Sequence, residues 1–443
     1  MTSFYLFASL WGIVCTYNLF YPRTSNAKLG IFSFVIGVIT GELAIFLLPL
    51  QILCTLLFVL AGVVDGFWTG FILVLSLISW CAQLIYIINS SRSALLLRAE
   101  LDQAGIDPPS LSADKQQAQF WSRVRKPFSI RLANVVCQKG IIYQTIDSQP
   151  QALDIYHSKN TIGAHNAEQN HAAPVLMYIH GGGLMEYGGT RVGQGLPLLN
   201  ELASRGWVCI SIDYRLSPKN KWPAHLIDCK TALQWIRDNI EQYGGNPNFV
   251  VTAGDSAGGQ LSALMALTAN QEQFQSNDGD SDTASQDGAV KQDSRVQGAI
   301  CFYGVMDFCN LYGTSHNQDA AKMWAEQVID ADLTDPANLS KFQSASPLAQ
   351  AIGHKDPQSI PDCLLVHGDC DSLVALKESQ LLAEKIRQVS DKQVICANVP
   401  GAQHAYNVFR SVRSELVLPE VVRFAETLHR RYRESNKHVR SAD

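Results

Sequence analysis

Apolar residues are distributed along this chain in two unlike ways. Residues 4 to 20 carry no charge, and between residues 29 and 89 the only charged side chains are Glu42 and Asp65. An α-helix needs about 20 apolar residues to cross a bilayer, so this stretch is long enough for several spans. A soluble core helix of such length would show a polar face at helical spacing, and none is visible. Beyond residue 144 the pattern changes to short apolar runs bounded by turn-forming residues. Residues 174–179, 207–212, 249–253, 361–368 and 394–399 read as buried strands, and 260–267 reads as a helix.

The first apolar segment has no basic stretch before residue 4 and no clear small-x-small cleavage site, so it reads as a retained anchor and not as a removed leader. Basic residues flank the apolar region: Arg23 and Lys28 on one side of the long stretch, then Arg92, Arg98, Arg123, Arg125 and Lys126 on the other. Positive flanks favour the cytoplasmic side, so an even number of crossings should separate them. Crossings near 42–62 and 66–88 satisfy this, with 29–40 as a short interfacial or re-entrant piece. Together with the first segment they make three spans and leave the rest of the chain in the cytoplasm. The rival reading takes 29–48 as a full span, which gives four and places the rest outside. Three spans are the favoured expectation.

Candidate chemistry sits in the strand-rich part. Gly254-Asp255-Ser256-Ala257-Gly258 follows one predicted strand and precedes the predicted helix, the layout of a G-x-S-x-G elbow. Small flanking residues let strand and helix approach, and the turn pushes a hydroxyl out above the sheet. Ser256 is therefore the candidate nucleophile. Upstream, the strand at 174–179 runs into His180-Gly181-Gly182-Gly183, a loop whose bare backbone N–H groups suit an oxyanion. A serine hydroxyl needs a base, and the base needs a group that holds its tautomer. Asp369 and Asp371 both lie on the turn after residues 361–368. Asp371 is preferred because Ser372-Leu373-Val374 begins the return path, and Asp369 stays open as a substitute. His404, in the loop after 394–399, is the candidate base.

These motifs, in this order, together with Leu153-Asp154-Ile155-Tyr156, Asp213-Tyr214-Arg215-Leu216-Ser217-Pro218 and Trp222-Pro223-Ala224, resemble the α/β-hydrolase superfamily and, within it, the hormone-sensitive-lipase-like esterases and carboxylesterases. The resemblance runs from about residue 153 into the 420s. It implies an α/β fold, with a mostly parallel central sheet flanked by helices, preceded here by a transmembrane α-helical region. It implies an oxyanion hole from the N–H groups of Gly182, Gly183 and Ala257, with His180 and Gly181 shaping that loop. The expected activity is hydrolysis of carboxylic esters, as an esterase or lipase working through Ser256, His404 and Asp371, on a small-molecule or lipid ester. Amide or formamide hydrolysis on the same residues is the alternative, followed by a non-catalytic, membrane-tethered binding module. Ala375 stands where the family pattern has proline, a departure in the acid loop.

Composition narrows the remaining choices. The net charge of −5 over 443 residues gives no basic excess for nucleic acid. Eleven cysteines, an odd number without framework spacing, read as free thiols in a reducing compartment, which agrees with cytoplasmic placement. Histidines and cysteines lack zinc-type spacing, so a metal is not indicated, and the expected serine chemistry requires no cofactor. His225 and His367 read as structural, Asp255 as a maker of local hydrogen bonds, and Asp213 with Arg215 as a buried ion pair bracing the loops. The expected organisation is an anchor at 1–89, a linker or cap helices at 90–144, a catalytic domain at 145–435 and a tail at 436–443. Within the domain, 271–293 reads as a disordered polar insertion and 306–353 as the better cap candidate. Sequence leaves the oligomeric state open.

Overall fold

A computed structural model describes residues 1–24, 26–108, 113–159, 172–275, 293–315 and 318–440. Most of the polar insertion expected at 271–293 lies outside the described residues.

Four apolar helices come first: α1 (Thr2–Phe20), α2 (Ala27–Glu42), α3 (Ala44–Leu60) and α4 (Phe67–Ser90). By length and composition, α1 and the helical stretch that begins with α4 can cross a bilayer. The α2 and α3 helices pass the same test only as a pair, bent by 85°. The break falls beside Glu42, the sole charged residue between 29 and 60. A continuous helix over 29–48, as the four-span reading requires, is therefore interrupted. The bundle turns its polar groups inward. Ser79 Oγ and Gln83 Nε2 both donate to Thr16 Oγ1 at 2.7 Å, and Gln83 also donates to Gln51 Oε1 at 2.9 Å.

Helices α5 (Ser93–Gln103) and α6 (Ala113–Val124) lead into eight strands. These are β1 (Val135–Ile146), β2 (Gln149–Ser158), β3 (Ala173–Ile179), β4 (Val208–Ile212), β5 (Gly245–Asp255), β6 (Gly298–Phe302), β7 (Asp362–Gly368) and β8 (Val394–Val399). They form one sheet in the order β1-β2-β4-β3-β5-β6-β7-β8. β2 runs antiparallel to β1 and β4, and every later pairing is parallel. Every residue of β4 and β6 is buried, because parallel strands in such a sheet are covered on both faces.

Covering is done by α7 (Leu196–Ser204), α8 (Ala224–Asn239), α9 (Ala257–Leu267), α10 (Gln318–Trp324), α11 (Leu339–Ala345), α12 (Pro347–Ile352), α13 (Leu376–Val389) and α14 (Val412–Arg440). Alternation along β3 sorts the layers. Val175, Met177 and Ile179 join a core with Leu226, Leu233, Leu261 and Leu264 of α8 and α9. Leu176 and Tyr178 join the opposite core with Leu199 and Leu202 of α7 and Val421 and Ala425 of α14.

Two expected boundaries move. β1 pairs with β2 from Val135 onward, so the sheet begins inside the segment expected as a linker. The α5 helix packs on the sheet domain. Leu97 and Leu101 pack into the α14-side core, and Arg98 reaches Glu420 at 2.6 Å. At the other end α14 continues to Arg440, through the expected start of the tail.

Candidate active site

Four connections at the C-terminal ends of parallel strands converge, as ligand sites in open α/β sheets do. β5 ends at Asp255 and α9 starts at Ala257, leaving Ser256 alone between them with φ 55° and ψ −121°. This strained geometry lifts the side chain off the sheet. It is permitted because the chain is bare around it. A Cβ on Gly258 would stand 2.0 Å from Ile179 O, and one on Gly254 would stand 2.3 Å from Gly258 O. Ser256 N–H donates to Phe302 O at 2.9 Å, fixing the turn against β6.

Ser256, His404 and Asp371 meet in one hydrogen-bonded row. His404 Nε2 lies 2.9 Å from Ser256 Oγ, and His404 Nδ1 lies 2.7 Å from Asp371 Oδ2. Asp371 Oδ1 accepts from the N–H groups of Leu373 and Val374 at 2.8 and 2.9 Å. The turn after Asp371, where the family pattern has proline, thus closes on its own carboxylate. Burial alone would raise the Asp371 pKa, but His404 and His367 beside it hold the carboxyl well below the usual range. Asp369, the open substitute, accepts instead from Gly401 N–H at 2.6 Å and is remote from this row in its bonding. The acid turn and the histidine loop are tied together by Gln403, whose Oε1 accepts from Ser372 N–H at 2.7 Å and His404 N–H at 2.8 Å.

The loop after β3 faces Ser256 from the other side. Among the described residues, the N–H groups of Gly182 and Gly183 have no acceptor, and Ala257 N–H opens α9, where helical N–H groups are unpaired. Gly182 has φ 120°, and a Cβ there would strike Gly188 at 2.2 Å, so only glycine fits. Gly181 N–H donates to Gln194 Oε1 at 2.7 Å and Asp255 Oδ1 at 3.2 Å. His180 stacks on Tyr214 at 4.4 Å, its Nδ1 2.7 Å from Gly181 O. Burial lowers its pKa, which keeps the ring neutral. Phe308 and Trp324, from the segment after β6, stack at 5.2 Å, and Trp324 Nε1 would lie 3.9 Å from a Cβ on Gly183. Part of the expected cap segment therefore stands at the glycine loop.

Other expectations need correcting. Asp213 and Arg215 do not pair with each other. Asp213 holds Arg191, which also reaches Asp154 at 2.8 Å, and Arg215 holds Asp228 of α8 at 2.7 Å. His225 is buried with Nε2 3.1 Å from Ser217 Oγ, and burial pushes its pKa down to about 3. His367 lies closer to the chemistry than a purely structural residue: its Nε2 is 3.2 Å from Asp371 Oδ2 and 3.1 Å from Val374 O. Ser379 Oγ at 2.8 Å from Nδ1 fits the tautomer that points Nε2–H at those oxygens. Asp255 accepts from Tyr303 Oη at 3.1 Å, and burial raises its pKa. Sequence reasoning missed Gln403 and Tyr303. Gln403 adjoins His404, and Tyr303 directly follows β6, a strand end that carried no motif.

Comparison with known proteins fits this geometry. Residues 153–386, more than half of the chain, match the BD-FAE family model. The chain is 32% identical over 413 residues to the probable carboxylic ester hydrolase LipM of Mycobacterium tuberculosis, covering 90% of this chain and 87% of that protein. It is 31% identical over 304 residues to esterase LipC of the same organism, covering 68% of each. Among solved structures, esterase B of Lactobacillus rhamnosis, inhibited by a tributyrin phosphonate, superposes with a TM-score of 0.53 at 18% identity, over 77% of this chain and 98% of that one. At that identity the likeness speaks for the fold. From the family match and the likeness to LipM over nearly its whole length, this chain belongs to the BD-FAE family, and its sheet and helices have the α/β-hydrolase fold.

Proposed function

We propose that the protein is a membrane-anchored serine esterase or lipase that hydrolyses carboxylic esters through an acyl-enzyme. The observation that carries this reading is the hydrogen-bonded row Ser256–His404–Asp371 at the mouth of the glycine loop. Ser256 Oγ attacks the acyl carbonyl while His404 Nε2 takes its proton. Asp371 receives the Nδ1–H bond, fixes the tautomer and stabilises the imidazolium that forms. The N–H groups of Gly182, Gly183 and Ala257 receive the oxyanion, and the loss of one such donor commonly costs ~10²–10³ in turnover. His404 then protonates the departing alcohol, and water attacking the acyl-enzyme by the same route releases the acid. The esterase names of the relatives support the ester as substrate.

The anchor is read as three spans, α1, α3 and α4, with α2 lying across them and the catalytic domain in the cytoplasm. The 85° bend between α2 and α3 supports this reading. Protease protection in sealed vesicles of known orientation tests it, and a protected C-terminus in inside-out vesicles overturns it.

For the activity, p-nitrophenyl esters from acetyl to palmitoyl are hydrolysed by detergent-solubilised protein alongside Ser256→Ala. Turnover is expected to vanish in the variant. Equal rates in both proteins would overturn the assignment.

A further inference from the structure

The α2 helix packs onto the catalytic loops as well as onto its own bundle. Its buried face carries Gly30, Ser33, Gly37 and Gly41, three or four residues apart. Small residues at this spacing let a helix backbone approach closely. A Cβ on Gly30 would stand 3.0 Å from Ser372 O, and one on Gly37 would stand 3.2 Å from Gln403 Nε2. Ser372 Oγ donates to Gly30 O at 2.9 Å. Ser372 and Gln403 are the chain neighbours of Asp371 and His404, and Gln403 is the side chain that ties their loops together.

Phe34 projects from the same helix to His404. The two rings meet edge to face with centroids 5.7 Å apart. Tyr303 also packs on the imidazole at 4.6 Å, and it is fully buried, whereas Phe34 is only partly so. The outward side of α2 is apolar and open: Ile31, Phe32, Val35 and Ile39 are each about half exposed.

In the serine reading, on which this inference rests, the departing alcohol oxygen must come within hydrogen-bond reach of His404 Nε2 to collect its proton. The carbonyl oxygen is held on the opposite side, by Gly182, Gly183 and Ala257. A ring that flanks the imidazole therefore borders the alcohol portion of the ester and not its acyl portion. We propose that α2 is the alcohol-side wall of the site. Phe34 sets which alcohol portions fit, and the preferred substrates are esters with a lipophilic alcohol portion that reach the site along the apolar face of α2. Phe34 acts here as a specificity-determining residue.

Two ester series test this with the full-length protein in detergent. One varies the alcohol from methyl to decyl at constant butyryl, and the other varies the acyl group from acetyl to decanoyl at constant p-nitrophenol. Wild type, Phe34→Ala and Phe34→Leu are compared, and fluorophosphonate labelling of Ser256 is followed in each. A methylene or two in an apolar site changes kcat/KM by ~10–200-fold. In Phe34→Ala the decyl-to-methyl ratio should fall about tenfold, while the decanoyl-to-acetyl ratio stays within about twofold. Phe34→Leu should lie between, and it decides the matter if Phe34→Ala no longer labels. Equal movement of both ratios, or of neither, with labelling intact would overturn the α2 proposal and leave the serine reading standing. Absence of labelling in the wild type would remove the serine reading and this inference with it.

Discussion

The helices of residues 2–90 and the sheet domain that follows distribute the same kinds of side chain in opposite ways. In the first region Leu56, Leu57, Phe67 and Trp68 are half to three-quarters exposed, while Thr16, Ser76, Ser79 and Gln83 are buried. In the second, Leu364, Val366 and Ile300 are fully buried. Under the membrane-anchored reading proposed above, each region is ordinary for its own solvent. Water drives apolar groups inward, whereas hydrocarbon imposes no such force and leaves polar contacts and close packing to hold helices together. The two regions meet at a junction where Glu42 of α2 pairs with Arg413 of α14, both about 1% exposed at the side chain, and Ser411 Oγ adds a bond at 2.6 Å. Tyr86 of α4 lies under the Arg413 guanidinium at 5.0 Å and donates to Gly401 O at 2.8 Å.

The largest effect is expected there. Glu42→Ala leaves a guanidinium buried without its partner, which costs ~3–5 kcal/mol. Thermal unfolding in detergent should show it, and an unchanged midpoint would mean that the two regions are not joined through this pair.

A second buried glutamate sharpens the contrast. Glu378 of α13 has no such partner in its bonding; it accepts from the N–H groups of Met306 and Asp307 at 2.8 and 2.9 Å. Burial pushes its pKa up from 4.5 to about 8, against those two bonds. The folded protein therefore keeps a proton that the unfolded chain has released. Its stability contribution is complete below about pH 4.5 and declines as pH rises toward about 8. Glu378→Gln should flatten that decline, by on the order of a few kcal/mol over the window. Parallel melting curves of both proteins from pH 5 to 8 would contradict it.

The two apolar environments can be compared directly. Leu364→Ala, in the sheet, should lose ~2–5 kcal/mol. Leu56→Ala, on the outer face of α3, should lose less than ~0.5 kcal/mol in detergent. Similar losses would erase the contrast. Also small, Gln83→Leu removes interhelical bonds that average ~0.6 kcal/mol in membrane proteins, so a shift of a degree or two is expected.

Legibility in the sequence followed locality. The strand, turn and helix around Ser256 lie within twenty residues, and their small residues are there because backbones touch. The glycine loop, the acid and the histidine were each readable as a short motif directly after a predicted strand. β1 was not, because an edge strand shows half-exposed residues and no continuous apolar run. Asp213 and Arg215 stand two apart, which invited a pair, yet their partners Arg191 and Asp228 come from different elements that only the folded chain brings near. Phe34 gave no sign at all. In an apolar helix one more aromatic is invisible until its neighbour is known.

The Glu42–Arg413 pair also sets a timetable. Its members lie 371 residues apart, so during synthesis at ~5–20 residues per second the carboxylate waits roughly 20–75 s for its counter-charge. Until α14 emerges, the helix that carries Phe34 lacks this buried ion pair among its ties to the catalytic loops. On the proposed reading, the site is complete only once α14 has been made and Arg413 locks onto α2.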